Sequence, residues 1–173
     1  LETPNKGTVN VLGKDISTLN DDQKTDLRLK QMGLVFQFFN LLPSLTVLEN
    51  IELPMSMRGI KKPQRQERAN ELLKFFDITK LAERYPDTLS GGERQRTAII
   101  RALANYPAIL LADEPTSSLD DENSALLLDL LTKISHEQKV AVVLTSTDLY
   151  EKLPTTIDYL LKDGQIRPHT SIC

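Results

Sequence analysis

The sequence predicts an α/β fold: a three-layer core built on parallel strands, with a helical subdomain between the first of those strands and the second. Three observations predict it. Short apolar runs at Gly33–Phe36, Ala108–Ala112 and Val140–Leu144 read as buried strands of a parallel sheet. The segments between them carry helical spacing. Each run ends in polar residues, at Gln37, Asp113-Glu114 and Thr145, and ligands of open α/β sheets sit at the carboxyl ends of the strands.

The totals narrow the function classes. A chain of 173 residues suffices for one domain with a real core. A net charge of −3 gives no basic surface for nucleic acid. The single cysteine, Cys173, can form no internal disulfide, which fits a reducing compartment. The apolar runs span only a few residues, and no secretory leader is visible, so a link to a membrane must come through a partner.

In chain order, Thr8–Leu12 alternates polar and apolar and predicts a half-exposed strand, with Gly13-Lys14-Asp15 as a turn. Asn20 and Gln23 have capping-box spacing and open a polar helix to about Lys30. The strand ending at Gln37 follows. Gln37–Asn50 mixes aromatic, amide and leucine side chains without a clean period, punctuated by Pro43 and, just beyond, Pro54. It reads as a loop with its apolar groups tucked inward or as a docking surface, in even balance. Lys61–Arg68 is a charged, solvated stretch. Ala69, Leu72, Leu73 and Phe76 have the spacing of a helix face turned to a core. Ser90 and Glu93 form a second capping box, followed by Ala98, Ile99, Ala102 and Leu103 on one helical face. After the strand at Ala108–Ala112, an amphipathic helix from Asp121 to about Ser135 offers Leu127, Leu128, Leu131 and Ile134 for burial. Val140–Leu144 is expected to be a second buried strand. Asp158–Ile166 is a hairpin turning at Asp163-Gly164, and Arg167–Cys173 reads as a loose tail. The two histidines, His136 and His169, are expected to be exposed bystanders.

The eight residues Leu89–Arg96 read LSGGERQR and resemble the signature motif of ABC-type ATPases. Asp113-Glu114, after an apolar strand and before Pro115-Thr116-Ser117-Ser118-Leu119-Asp120, is similar to the Walker B and D-loop sequence of that family. QFFNLLPSLTVLENIELP, from Gln37 to Pro54, looks like the Q-loop and following segment of the LolD/MacB branch. The resemblance implies a P-loop NTPase-like core (residues 1–37 and 105–173) with a helical signature subdomain (38–104). It implies hydrolysis of ATP with Mg²⁺ at a dimer interface, coupled to export or release of a substrate. Glu114 and Gln37 would be catalytic, and Asp113 and Gln37 would hold the metal. Ser90, Gly91, Gly92, Glu93, Asp120 and Ser146 would form the nucleotide-contacting set, with Ser90 and the glycines holding the γ-phosphate of ATP bound mainly to the partner. The implied partners are a second ATPase subunit and a transmembrane permease docking near Gln37–Asn50, with no nucleic acid. The implied location is cytoplasmic, on the inner face of the membrane.

Two family features are not found. No G-x-x-x-x-G-K-[ST] phosphate loop (Walker A) occurs, Gly13-Lys14 being the sole Gly-Lys pair. The resemblance covers the later part of the family's domain, so an N-terminally incomplete domain with exposed apolar faces is expected, inactive by itself. The family's switch histidine is replaced: Thr145-Ser146-Thr147-Asp148 puts Ser146 in its place counting from the strand, and Thr147 counting back from the acid. Neither hydroxyl can serve as a protonatable sensor. A degenerate module that lends its signature motif to a partner's ATP is the competing reading. A soluble ABC-type ATPase of DNA maintenance has little support, because the interval from Gln37 to Leu89 is short, proline-punctuated and without heptads.

Overall fold

The structure, a computed structural model, describes residues 4–148 and 153–169. Its centre is a parallel sheet of three strands, β3 (Met32–Val35), β4 (Ile109–Asp113) and β5 (Ala141–Thr145), in that order. The register aligns Val35 with Ala112 and Asp113 with Thr145. The residues after all three strands therefore emerge at one edge, as the apolar runs implied. Two hairpins flank this sheet: β1 (Asn10–Val11) with β2 (Lys14–Asp15), and β6 (Asp158–Lys162) with β7 (Gln165–His169). Both turn through left-handed pairs, Leu12-Gly13 and Asp163-Gly164, the backbone of a type I′ connection.

Among the described residues five α-helices complete the order: α1 (Asp21–Gln31), α2 (Val47–Met57), α3 (Lys62–Phe75), α4 (Gly91–Leu103) and α5 (Asp121–Gln138). Complete capping boxes open α1 at Asn20, α2 at Thr46 and α4 at Ser90. One apolar cluster runs from Val47, Ile51 and Met55 of α2 through Leu72 and Leu73 of α3 and Ile99, Ile100 and Leu103 of α4 to Val35, Leu110 and Ala112 of the sheet. It ends on Leu127, Leu131 and Ile134 of α5. Helices α4 and α5 thus cover the face of the sheet that carries Val35 and Leu110. On the opposite face, α1 and the first hairpin border an apolar cleft of about 190 Å³ lined by Val11, Ile16, Leu27, Met32 and Leu111.

Several expectations need correction. Lys14-Asp15 is strand, and the turn is Leu12-Gly13. The segment read as irregular to Asn50 becomes α2 at Val47, with Pro54 inside the helix. Pro54 has no N–H for the helix ladder, and the Arg58 N–H turns to Met55 O, 3.2 Å away. The Pro54 carbonyl instead accepts from Asn105 Nδ2 at 3.1 Å. The missing N–H withdraws the ladder bond to the Asn50 carbonyl, while the Pro54 carbonyl, freed at the end of the helix, is satisfied by the Asn105 side chain from the turn after α4. The charged stretch 61–68 is the first half of α3, and its arginines are half-buried: Arg65 lies 3.6 Å from Glu52 of α2, and Arg68 stacks 3.8 Å from the Tyr106 ring centre. Strand β5 is half-exposed, with Val143 55% accessible. Residues 167–169 of the expected tail belong to β7; residues 170–173 lie outside the described residues. His136 is exposed in the last turn of α5, as expected.

Gly33 sets the distance between sheet and helix. A Cβ there would stand 2.6 Å from Ala102 O of α4 and 2.8 Å from Leu110 Cδ1. The carbonyl is backbone and cannot swing away. Gly33→Ala is expected to destabilise the fold by about 1–3 kcal/mol through overpacking, read as a lowered urea midpoint with unchanged slope.

Candidate functional site

The carboxyl ends of the three strands gather the first group of residues. Gln37 stands two residues beyond β3, and its carbonyl accepts from Ser118 Oγ at 3.4 Å. Asp113 ends β4 opposite Thr145. Asp113 Oδ1 accepts from Thr145 Oγ1 at 2.7 Å. Glu114 has a left-handed backbone, φ 49°, a conformation that side-chain-bearing residues adopt at a cost. Its N–H donates to both Thr145 O and Thr145 Oγ1, each at 3.2 Å. Its carbonyl accepts from Ser117 Oγ at 2.9 Å, and its Oε2 accepts from Thr147 Oγ1 at 3.1 Å. Of the two hydroxyls that stand near the family's histidine position, Thr147 meets Glu114. Ser146 Oγ accepts the Asp148 N–H at 3.2 Å.

The second group lies at the N-termini of α4 and α5. Ser90 Oγ accepts the Glu93 N–H at 3.3 Å, and Glu93 Oε2 accepts the Ser90 N–H at 2.7 Å. The Ser90 N–H, then the Ser90 side chain and the nearby charges of Arg84 and Arg96, hold the Glu93 carboxyl below the usual range. Gly92 lies against α5: a Cβ there would come 2.6 Å from Asn123 Oδ1. Asn123 is itself held by Asp120, whose Oδ1 accepts from the Asn123 N–H at 2.8 Å. That bond first, then the one from the Asn123 side chain, lowers the Asp120 pKa. Asp120 is thus the N-cap of α5, a role that spacing alone had not assigned to it. A Cβ on Gly91 would lie 3.8 Å from Ser118 O, so the start of the LSGG helix faces the loop that follows Glu114.

Gln95 ties the two groups together. It is 1% exposed, and its Nε2 donates to Pro115 O at 2.8 Å, one residue beyond Glu114. Sequence reasoning passed over it. The available signal was its place at i relative to Ala98, Ile99 and Ala102 on the apolar face of α4, where an amide requires a partner.

The Gln37–Asn50 segment is hydrogen-bonded from within and carries apolar side chains on its outside. Phe39 and Asn40 are left-handed, and the Arg101 guanidinium of α4 donates to both carbonyls, 2.8 Å to that of Phe39. Asn50 is fully buried. Its Oδ1 accepts the Leu42 N–H at 2.8 Å, and its Nδ2 donates to the carbonyls of Leu42, Leu45 and Thr46 at 2.9–3.1 Å. Phe36, Phe38 and Leu42 point outward, Phe38 74% exposed.

The donors near the strand ends are oxygens: the carboxylates of Asp113 and Glu114 and the amide of Gln37. Among the described residues no group of three His, Cys, Asp or Glu side chains could cage a metal. That donor set fits Mg²⁺, which takes one or two carboxylates and completes its shell with water and substrate phosphates. No described helix is long and apolar enough to cross a membrane.

The ABC transporter family matches residues 1–117. A methionine import ATP-binding protein, MetN 2, of Enterococcus faecalis is 46% identical over 87% of the chain and 43% of its own length. An uncharacterized ABC transporter ATP-binding protein of Thermotoga maritima is 43% identical over 96% of the chain and 70% of its own length. ABC transporter ATP-binding protein YtrE of Bacillus subtilis is 38% identical over 84% and 63%. Among solved structures, the dimeric post-hydrolysis state of the ATP-binding cassette MJ0796 with ADP and Pi has a TM-score of 0.75 and 40% identity. The match covers 86% of this chain and 66% of that one. The chain thus spans from under half to about two thirds of the length of these relatives.

The capping box at Ser90 is open to a direct test. Because the Glu93 pKa is depressed on folding, its ionised form adds stability above the unfolded value, about 4.3, and that stability is lost as pH falls through the lower folded value. Glu93→Gln is expected to lower the urea midpoint at pH 7 and to match the parent at pH 2.5. An equal deficit at both pH values would show that charge plays no part.

Proposed function

The chain belongs to the ABC transporter family of ATP-binding domains, and from that premise we propose that it works as the ATP-hydrolysing subunit of a transporter, in a dimer that shares each ATP between two subunits. The observation that carries this reading is the pair Asp113-Glu114, held at the end of β4 beside Gln37 and the end of β5. Glu114 takes the proton of the attacking water, Gln37 orients that water, and Asp113 with Gln37 holds Mg²⁺. When bound, the ion neutralises charge on the phosphates, the main requirement of phosphoryl transfer besides positioning. Ser90, Gly91 and Gly92 present a hydroxyl and helix-start amides to the γ-phosphate of the ATP on the partner subunit. Asp120, in the loop beside them, lies at the dimer interface, and Ser146 borders the nucleotide. Residues 38–104 act as the helical signature subdomain. The outward face of Gln37–Asn50 receives a permease, which places the subunit at the inner face of a membrane.

The segment QFFNLLPSLTVLENIELP supports the LolD/MacB-like class, which exports or releases its substrate. The relatives named for methionine import favour the opposite direction of transport. Assay of the permease partner in inverted vesicles separates the two. A third possibility, a module that lends Ser90 to another subunit's ATP without hydrolysis of its own, is favoured by the missing histidine. In mixed dimers it fails if replacing Ser90 leaves the competent partner's turnover unchanged. Residues 1–173 contain no phosphate loop of the Walker A type, and this stretch by itself is expected to turn over no ATP.

With a phosphate loop supplied on the same polypeptide or by another subunit, Glu114→Gln is expected to keep ATP binding and lose about 10²–10⁴-fold in turnover. Unchanged turnover would overturn the assignment of the base.

A further inference from the structure

We propose that Thr145 and Thr147 form a two-hydroxyl clamp, Thr145 fixing the Asp113 carboxylate toward the metal and Thr147 fixing the Glu114 carboxylate toward water. The proposal rests on the functional reading above and adds to it two positioning residues.

The geometry points to this assignment in three ways. First, Thr145 Oγ1 sits between the acids. It donates to Asp113 Oδ1 at 2.7 Å and accepts the Glu114 N–H at 3.2 Å. The donated bond leaves Oδ2 as the oxygen to offer a cation. Second, the Glu114 backbone is left-handed, φ 49°. Such a conformation persists where its surroundings over-determine it. Here the Thr145 carbonyl and hydroxyl both take its N–H, and Ser117 Oγ and N–H both bond its carbonyl, at 2.9 and 3.3 Å. Third, Thr147 Oγ1 donates to Glu114 Oε2 at 3.1 Å, leaving Oε1 as the basic atom. Both threonines are exposed, so the hydroxyls add little to the core. Their bonds are concentrated on the two acids.

The two arms of the clamp predict separable effects. Partners that orient a metal ligand typically contribute 10–100-fold to metal affinity or activity. In the intact ATPase, Mn²⁺ is titrated with ADP present and followed by electron paramagnetic resonance. Thr145→Val is expected to weaken Mn²⁺ binding about tenfold, and Thr145→Ser to restore it. Thr147→Val is expected to leave Mn²⁺ binding unchanged and to lower kcat about tenfold at constant KM for ATP, with Thr147→Ser restoring kcat. Glu114→Gln is run in parallel. If that variant loses turnover while both valine variants match the parent in Mn²⁺ affinity and kcat, the clamp is refuted and the functional reading stands. If serine fails to rescue variants whose thermal melts match the parent, the hydroxyls are likewise not the acting groups. If Glu114→Gln turns over normally, the functional reading falls first.

Discussion

Helix α4 lies against β3 because Gly33 has no side chain. A Cβ there would press into the Ala102 carbonyl, so the spacing between the sheet and its central helix is set by one absent methyl group. The N-terminus of α4 carries the Ser90 capping box, its middle sends Gln95 to the loop after Glu114, and its last turn sends Arg101 to the carbonyls of Phe39 and Asn40. Two segments far apart in sequence are therefore held by one helix, and a shift of α4 would move both together with the Ser90 capping box.

The strand ends follow a different logic. A parallel register places the residues after β3, β4 and β5 together without any side chain having to reach. It does not decide how the two adjacent carboxylates are oriented. That is left to a local conflict, the left-handed Glu114 backbone, balanced by bonds from Thr145, Ser117 and Thr147. The cost of such a backbone, of order 1–3 kcal/mol, is comparable to a few net hydrogen bonds at about 1 kcal/mol each. The acids are thus held in place with little to spare.

Much of this was legible in the sequence, and the exceptions have physical causes. The capping boxes at Asn20 and Ser90 form as read, because they depend on residues three apart. The faces with Leu127, Leu128, Leu131 and Ile134, and with Ala69, Leu72 and Leu73, are buried as the helical period implied. Strand β5 was misjudged because an all-apolar run reports that one face is covered and says nothing of the second; Val143 is more than half exposed. The start of α2 is hidden in the sequence because Pro54 reads as a breaker, and the bond that satisfies the Pro54 carbonyl comes from Asn105, far along the chain. Arg65 and Arg68 looked solvated because their partners, Glu52, Tyr106 and the Leu103 carbonyl, lie on other elements. Gln95 and Thr145 share that property: their meaning lies in a distant contact that no local pattern contains.

The stretch from Gln37 to Asn50 is bonded to both α2 and α4. Its backbone is fixed from the inside by Asn50 and Arg101, while Phe36, Phe38 and Leu42 face outward. Exposed aromatic side chains on a pinned backbone lose little entropy when they are covered, which favours a partner over solvent. A floppy loop would absorb a push on that surface, whereas this one is bonded through Arg101 to the helix that begins at Ser90. The residues next to Phe38 are thus bonded to α4, and α4 is bonded through Gln95 to the loop beyond Glu114. One helix therefore contacts both the segment that carries the exposed aromatics and the loop after the two acids, a connection of the kind that the proposed coupling of hydrolysis to movement would need.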